Sequence, residues 1–533
     1  MITQVRKGEL HELSPQAADE LMHSKYYNPD LAPTRIKDRT WTTRDVADLW
    51  IGLSVSIAAL ALASSLVTLG VSPLLAVINV FLGNVIVLIP IQLNSHVGTK
   101  YGIPYPIYAR LSFGTHGAQL SSVSRSIIGC GWTSVQSWVG GGAVAAILGC
   151  IIPSLSDTTN TISLPGNDSV MVGQLVGFLI FVLVCGWIAY NGMDKVKWLQ
   201  NIGGPVVIVA IVALLVWSVL ALHSTGHTVM DVFAEGNNEE LINQNGGFAF
   251  VYLAGLTGNI AYWSTVALNI PDFSKMARSQ KDQFNGQMIG MPIPMGICAI
   301  AGALFAQATY YMYGAANYDP TTVFFMLDNK IAIIISALAV IAAQLTTCVA
   351  ANIVAPSNGW SNLAPKKITF KMGVCITVFI SIFVTQPWFI YGSGAAYIFT
   401  WLNNYGTIIA PVAAILCADY FICKDKRIDV FALYKGTDGR YKYSNGWNWC
   451  AIIAWVASFI LPLLGNTVFS FAGSGRTTPN GLDMIAANGY LFSFFVAFVV
   501  YVALMKSGFG GTKEEKGYIT EEEENAMTEV ISE

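Results

Sequence analysis

The chain has 533 residues, 54% of them hydrophobic and only 11% charged, with a formal net charge of −3. Soluble proteins carry about 25% charged residues, so a chain with mean hydropathy +0.53 cannot cover a water-facing surface, and a string of soluble domains is excluded. There is no basic surplus for nucleic acid, and nine cysteines without a C-x-x-C pair exclude a disulfide framework or a zinc site.

The first 45 or so residues are polar and contain no cleavable signal, so the first apolar span is expected to serve as the insertion signal. A bilayer core about 30 Å thick needs roughly 20 apolar residues per helix. Twelve stretches qualify, at about 47–70, 74–94, 121–151, 170–191, 199–222, 247–270, 287–312, 331–355, 370–385, 391–420, 449–469 and 486–506. The third and tenth are long enough to tilt, and the ninth is short. The fold class expected from this count is an all-α polytopic membrane protein with 12 transmembrane helices.

Twelve spans place both termini on one side. On that side fall the N-terminal tail, the 2–3 connection with Lys100, Arg110 and Arg125, the loops 4–5, 6–7, 8–9 and 10–11, and the C-terminal tail. Together they hold 27 of the 29 Lys and Arg; only Lys330 and Arg476 lie opposite. By the positive-inside rule both termini are cytoplasmic, and a bacterial inner membrane is the expected location. The run Glu521–Glu524 reads as a solvated, disordered cytoplasmic tail.

No acidic residue stands in the middle of a span; Asp48, Asp272 and Asp419 come nearest, each at a span end. The histidines lie in tails, loops or span ends. A proton relay through the spans has no carrier of the usual kind, and no H-E-x-x-H or buried acid pair supports an enzyme. The spans instead hold neutral polar groups: Ser54 and Ser56 in span 1, Gln136 in span 3, Asn259 in span 6, and Gln344, Thr346, Thr347 and Asn352 in span 8. Such groups suit a neutral, hydrogen-bonding ligand.

In span 3, Trp132 and Gln136 are four apart and share a helix face. A ring that stacks, beside an amide that donates and accepts, is the minimum needed to hold a planar heterocycle; ordinary helix packing is the alternative. In span 6, Gly255 and Gly258 permit either local unwinding or close packing, ahead of Tyr262 and Trp263. In span 8, the Ala343 carbonyl with the hydroxyls of Thr346 and Thr347 offers a hard-cation shell, or the threonines simply bond back to the preceding turn. Asn352, five residues past Thr347, is expected to point elsewhere on the helix.

The sequence resembles the nucleobase–cation symporter-1 family. The resemblance rests on Asn28-Pro29-Asp30-Leu31-Ala32-Pro33-Thr34, Arg39-Thr40-Trp41, His96-Val97-Gly98-Thr99-Lys100-Tyr101-Gly102-Ile103-Pro104, Arg110, Phe113-Gly114, Trp132 with Gln136, Asn269-Ile270-Pro271-Asp272-Phe273, Ala418-Asp419-Tyr420 and Leu433-Tyr434. It covers about residues 28–506. It implies a leucine-transporter-like fold of 5+5 inverted repeats plus two helices: a tail at 1–46, repeats at 47–222 and 247–420, helices 11 and 12 at 449–506, and an acidic tail at 507–533. It also implies alternating-access import of a neutral nitrogen heterocycle, with Na+ or H+ as coupling ion and no other cofactor.

By the same resemblance, Trp132, Gln136, Trp263 and Asn352 fall on substrate contacts, with Ser56 and Tyr262 beside them. Gly52, Val55, Ala343, Thr346 and Thr347 fall on sodium ligands. Several relatives carry an amide where Ser56 stands, so its shorter side chain is expected to admit a bulkier ligand or loosen specificity, while Tyr262 adds bulk opposite. Allantoin or a hydantoin is the leading substrate, because Gln136 stands in span 3; uracil or another nucleobase is the alternative. An amino-acid transporter of this fold needs a glycine-rich span 1, and the run from Ser54 to Ser64 has no glycine. A non-transporting sensor is a further alternative. The expected working unit is a monomer in a lipid bilayer, with no nucleic-acid partner.

Overall fold

The computed structural model describes residues 2–165, 167–317, 329–390, 395–471 and 474–531, with side chains at all of these except 193–194, 196–198, 200–204, 389–390 and 395–400. The first residues expected in span 10, 391–394, and the side chain of Lys197 therefore lie outside the described residues.

Span 1 is two helices. Helix α1 (Thr43–Ser54) opens on a capping box between Thr42 and Asp45 and stops at Val55. Helix α2 (Ile57–Thr68) restarts with Ser56 as N-cap, its Oγ accepting from the Ala59 amide at 3.2 Å. The two are bent by 53°. No glycine or proline makes this break; a serine that ends one helix satisfies the first turn of the next.

Helices α3 (Pro73–Tyr101) and α4 (Tyr105–Ile151) follow. α4 is two helices joined across Gly114 (φ 76, ψ 170), a conformation that favours glycine. Arg125, counted above with the 2–3 connection, lies beyond that kink within α4 and is 1% exposed. It is a buried span residue, because α4 continues unbroken past it. A two-stranded hairpin, β3 (Thr161–Leu164) with β4 (Asn167–Met171), leads into α5 (Val172–Tyr190) and α6 (Met193–Ser224).

Span 6 is also broken, as α7 (Phe248–Tyr262) and α8 (Ser264–Asn269). The break falls at Trp263 (φ −97, ψ 0), not at Gly255 or Gly258, through which the helix runs. A Cβ on Gly255 would stand 2.5 Å from Leu66 Cδ2, so that glycine serves close packing of α7 on α2. Helix α9 (Pro292–Tyr313) precedes α10 (Lys330–Thr347), which passes into a π-helical turn, Cys348–Val354, and then α11 (Ala355–Leu363). Helices α12 (Phe370–Phe383), α13 (Ala395–Cys417), α14 (Trp449–Thr467) and α15 (Gly489–Lys506) complete the bundle.

Among the described residues nine helices are long and apolar enough to cross a membrane, and the bent α1–α2 pair makes a tenth. Of the other expected spans, the sixth is the broken α7–α8 and the ninth is the short α12. Leu183, Val209, Phe379 and Val499 are exposed on the outside, as a hydrocarbon solvent permits. The interior is polar by comparison. Three asparagines of α3 reach span 6: Asn79 Oδ1 accepts from Asn259 Nδ2 at 2.8 Å, Asn84 Oδ1 from Trp263 Nε1 at 2.7 Å, and Asn94 Nδ2 donates to the Ala267 carbonyl at 2.8 Å. Paired amides of this kind hold helices together where the solvent offers no hydrophobic drive.

The tails are folded. Strands β1 (Gln4–Lys7) and β2 (Leu10–Leu13) pair antiparallel, and β5 (Thr528–Val530) joins β1 in parallel. The acidic run expected to be disordered forms helix α16 (Glu521–Met527), capped by Thr520. Glu523 meets Arg440 at 2.9 Å and Glu524 meets Arg427 at 3.4 Å. Acidic side chains favour the positive end of a helix, and the loop before α14 supplies the arginines.

Candidate functional site

The two breaks bring their irregular backbone to one cavity. It is lined by Leu53 of α1, Trp132 and Gln136 of α4, Tyr262, Trp263, Thr265 and Val266 of span 6, and Thr347, Ala351 and Asn352 of span 8. The free space is about 20 Å³, room for roughly one water. A heterocycle enters only if these side chains part.

The walls are aromatic. Trp132 meets Tyr262 edge-on, with centroids 5.3 Å apart at 85°. Tyr262 meets Trp263 at 5.0 Å and 90°, and Trp50 backs Trp263 at 5.2 Å. Both indole N–H groups are engaged away from the cavity. Trp132 Nε1 donates to the Tyr405 hydroxyl at 3.2 Å, and that hydroxyl donates to the Ala261 carbonyl at 2.8 Å. Trp263 Nε1 donates to Asn84. Both indole rings are thereby held in place.

The polar edge is an amide pair. Asn352 Nδ2 donates to Gln136 Oε1 at 2.9 Å, and Thr133 Oγ1 donates to the Asn352 carbonyl at 2.7 Å. Asn352 was expected to face away from Thr347; both line the cavity instead. The π-helical turn is the reason, since its i→i+5 repeat returns the fifth residue to the same face. Opposite, Ser56 Oγ and the Tyr262 hydroxyl lie 3.1 Å apart. Ser56 reaches the cavity through Tyr262 and is not on its wall.

The hydroxyls of Thr346 and Thr347 donate to the Ala343 carbonyl at 2.8 and 3.2 Å. This is the back-bonding open to any helical threonine, and a hydroxyl so engaged keeps lone pairs for another partner. α10 packs on α1 and α2, whose break frees backbone carbonyls near Gly52 and Val55. Of these five residues only Thr347 lines the cavity. Among the described residues no group of three His, Cys, Asp or Glu could hold a metal; a cation here would rest on neutral oxygens.

Sequence reasoning missed Leu53, Thr265, Val266 and Ala351 as wall residues, and Asn84 and Tyr405 as the groups that fix the two indoles. A signal existed for Asn84: Asn79, Asn84 and Asn94 are amides in an apolar span. No spacing rule ties Tyr405 to Trp132, 273 residues away.

Two broken helices meeting at a cavity of neutral amides and indole rings define a secondary transporter of the leucine-transporter-like fold, not an enzyme. Residues 33–505 match the family described as permease for cytosine/purines, uracil, thiamine, allantoin. The chain is similar to the purine-uracil permease NCS1 of Arabidopsis thaliana, at 33% identity over 479 residues, 90% of this chain and 77% of that one. It is also similar to an allantoin permease of Bacillus subtilis, at 28% identity, with 90% and 93% covered. Its fold is like that of Mhp1, a nucleobase-cation-symport-1 family transporter solved in a closed conformation with bromovinylhydantoin bound, with a TM-score of 0.73 at 19% identity over 94% of this chain and 99% of that one. A Na+-coupled sialic acid symporter shares the fold at a TM-score of 0.55 and 13% identity, with 92% and 95% covered. The chain belongs to the nucleobase–cation symporter-1 family of membrane permeases.

Proposed function

We propose that this permease imports a compact, neutral, planar ring carrying an adjacent N–H and C=O, with allantoin or a hydantoin as the leading substrate. The observation that carries the reading is the Gln136–Asn352 bond. It uses the Gln136 oxygen and one Asn352 hydrogen. Gln136 Nε2 is left to donate and Asn352 Oδ1 to accept, and a donor and an acceptor together would complement an –NH–CO– edge. Trp132 and Trp263 then supply stacking worth about 0.5–1.5 kcal/mol per ring beyond area burial.

Uracil is a second reading, favoured by Tyr262. Its ring stands edge-on between the two indoles and takes room that a ring substituent such as the ureido arm of allantoin needs. An unsubstituted pyrimidine avoids that conflict.

Sodium is the proposed coupling ion, held by the Ala343 carbonyl, Thr346, Thr347 and the carbonyls of Gly52 and Val55. It couples only if it binds one conformation better than another. The one-sided Lys and Arg support a reading with both tails in the cytoplasm and the chain in a bacterial inner membrane. The test is uptake of labelled allantoin by expressing cells, with excess unlabelled hydantoin, uracil, guanine or leucine, in sodium and in choline medium. Block by hydantoin and uracil but not leucine supports the reading, and block by leucine overturns it.

A further inference from the structure

Arg125 is a buried cation with no direct ion-pair partner among the described residues; the buried Asp272 carboxylate acts on it from beyond ion-pair distance. It lies seven residues before Trp132 on α4, close to the same helix face and about 10 Å nearer the tails. Nε and one terminal nitrogen donate to Asn269 Oδ1 at 3.2 and 2.8 Å, and the same terminal nitrogen donates to the Ala351 carbonyl at 3.1 Å. The other terminal nitrogen has no partner, and neither has Asn269 Nδ2. Among the described residues Arg125 forms no ion pair.

Of its two partners, one lies on the wall of the cavity and the other just beyond it. Ala351 lines it directly, and Asn269 stands one turn past Thr265 and Val266, which also line it. For a ring to leave toward the tails, α8 and the π-helical turn of span 8 must separate. Arg125 is the group that ties them. A guanidinium enclosed in a membrane protein and hydrogen-bonded only to neutral oxygens, with its carboxylate beyond ion-pair distance, is costly. Arg125 offsets part of the buried Asp272 charge, yet one of its terminal nitrogens is left without a partner.

We propose that Arg125 is a second, exit-side binding position for the substrate's carbonyl oxygens. As α8 withdraws Asn269, the planar fork, with five donors in fixed geometry, takes the ring carbonyl in place of Asn269 Oδ1. The ring passes from the amide pair to the guanidinium and then to water. The ligand class is a neutral ring with at least one carbonyl oxygen, and the inference rests on the proposed reading of the cavity above.

The experiment uses the full chain in proteoliposomes with labelled hydantoin, and labelled uracil in parallel. Equilibrium binding and counterflow rate are measured for the parent, Arg125→Gln and Asn269→Ala, with thermal stability as a folding check. Arg125→Gln is expected to leave the equilibrium dissociation constant within about threefold and to lower the counterflow rate about tenfold or more, a split that separates an exit contact from uniform binding. Asn269→Ala, which keeps the cation and frees its fork, is expected to retain most of the parent rate. Equal losses of rate in both variants would make Arg125 a clamp only and overturn the inference, as would an Arg125→Gln protein that is stable and transports like the parent. If the parent binds neither ring, it is the heterocycle reading that fails.

Discussion

Asn352 donates to Gln136 across the cavity, side-chain amide to side-chain oxygen, at 2.9 Å. The two come from spans 3 and 8 and meet only because the backbone between Cys348 and Val354 is wound as a π-helix. In the proposed function this preformed pair would read the substrate edge, with the donor and acceptor that their own bond does not use.

The pair acts as a unit. Gln136→Ala and Asn352→Ala should each weaken substrate binding by about 1–3 kcal/mol, one to two decades in affinity. The double variant should lose less than the sum, because each single change already leaves the other amide without its partner. Equilibrium binding to the purified protein measures all three. Thr133→Ala should also weaken binding, though less, since its hydroxyl holds the Asn352 carbonyl.

Ser56 does two jobs. Its hydroxyl caps α2 and touches the Tyr262 hydroxyl. Ser56→Ala should lower stability by about 0.5–2 kcal/mol through the lost cap, whereas Ser56→Asn should keep the cap and change ring selectivity. Tyr262→Ala should open the cavity and raise the affinity for 5-substituted hydantoins relative to uracil. Thermal unfolding and a competition series separate the two effects.

Sodium dependence is expected to run through span 8. Thr347→Ala should lower substrate affinity in sodium and leave it unchanged in choline. Thr347 lines the cavity as well, so equal loss in both media would mark it as a substrate contact instead.

Asp419 and Lys424 form an ion pair with both side chains 0% exposed, Nζ to Oδ1 at 2.7 Å. Removing one partner leaves an enclosed charge, so Lys424→Met should destabilise by about 3–5 kcal/mol. The double change Asp419→Leu with Lys424→Met should recover much of that. Folded yield after detergent extraction reports the order.

The tail sheet should loosen in acid. Burial, then Lys100, Arg6 and Arg39, press the His11 pKa down to about 3 from 6.5. A lowered folded pKa means the unfolded tail binds the proton more readily, so the stability it contributes is complete above about pH 6.5 and is lost as pH falls toward 3. With the intrinsic pH dependence of exchange divided out, protection of the β1 and β2 amides should be lower at pH 5 than at pH 7, and His11→Gln should flatten the difference.

Much of the fold is legible in the residues. Apolar length and the one-sided lysines and arginines set the spans; helix spacing put Trp132 and Gln136 on one face with ordinary packing as the alternative, the family resemblance pointed to a ligand, and both line the cavity. The rest depends on backbone irregularity that composition does not encode. The break at Val55–Ser56 has no glycine to announce it, and the π-helical turn that re-aims Asn352 overturns an argument from α-helical periodicity. Arg125 read as a loop charge because its sequence neighbours are polar, while the fold encloses it. The acidic run at Glu521–Glu524 read as solvated because its partners, Arg427 and Arg440, are some eighty residues or more away in the chain.

The most direct test of the central claim is equilibrium binding of uracil and hydantoin to the purified protein, beside the same rings methylated at the ring nitrogens. If Gln136 and Asn352 read an –NH–CO– edge, full methylation should weaken binding about tenfold or more, and Gln136→Ala should shrink that discrimination. Methylated and unmethylated rings binding alike to the parent protein would contradict the account.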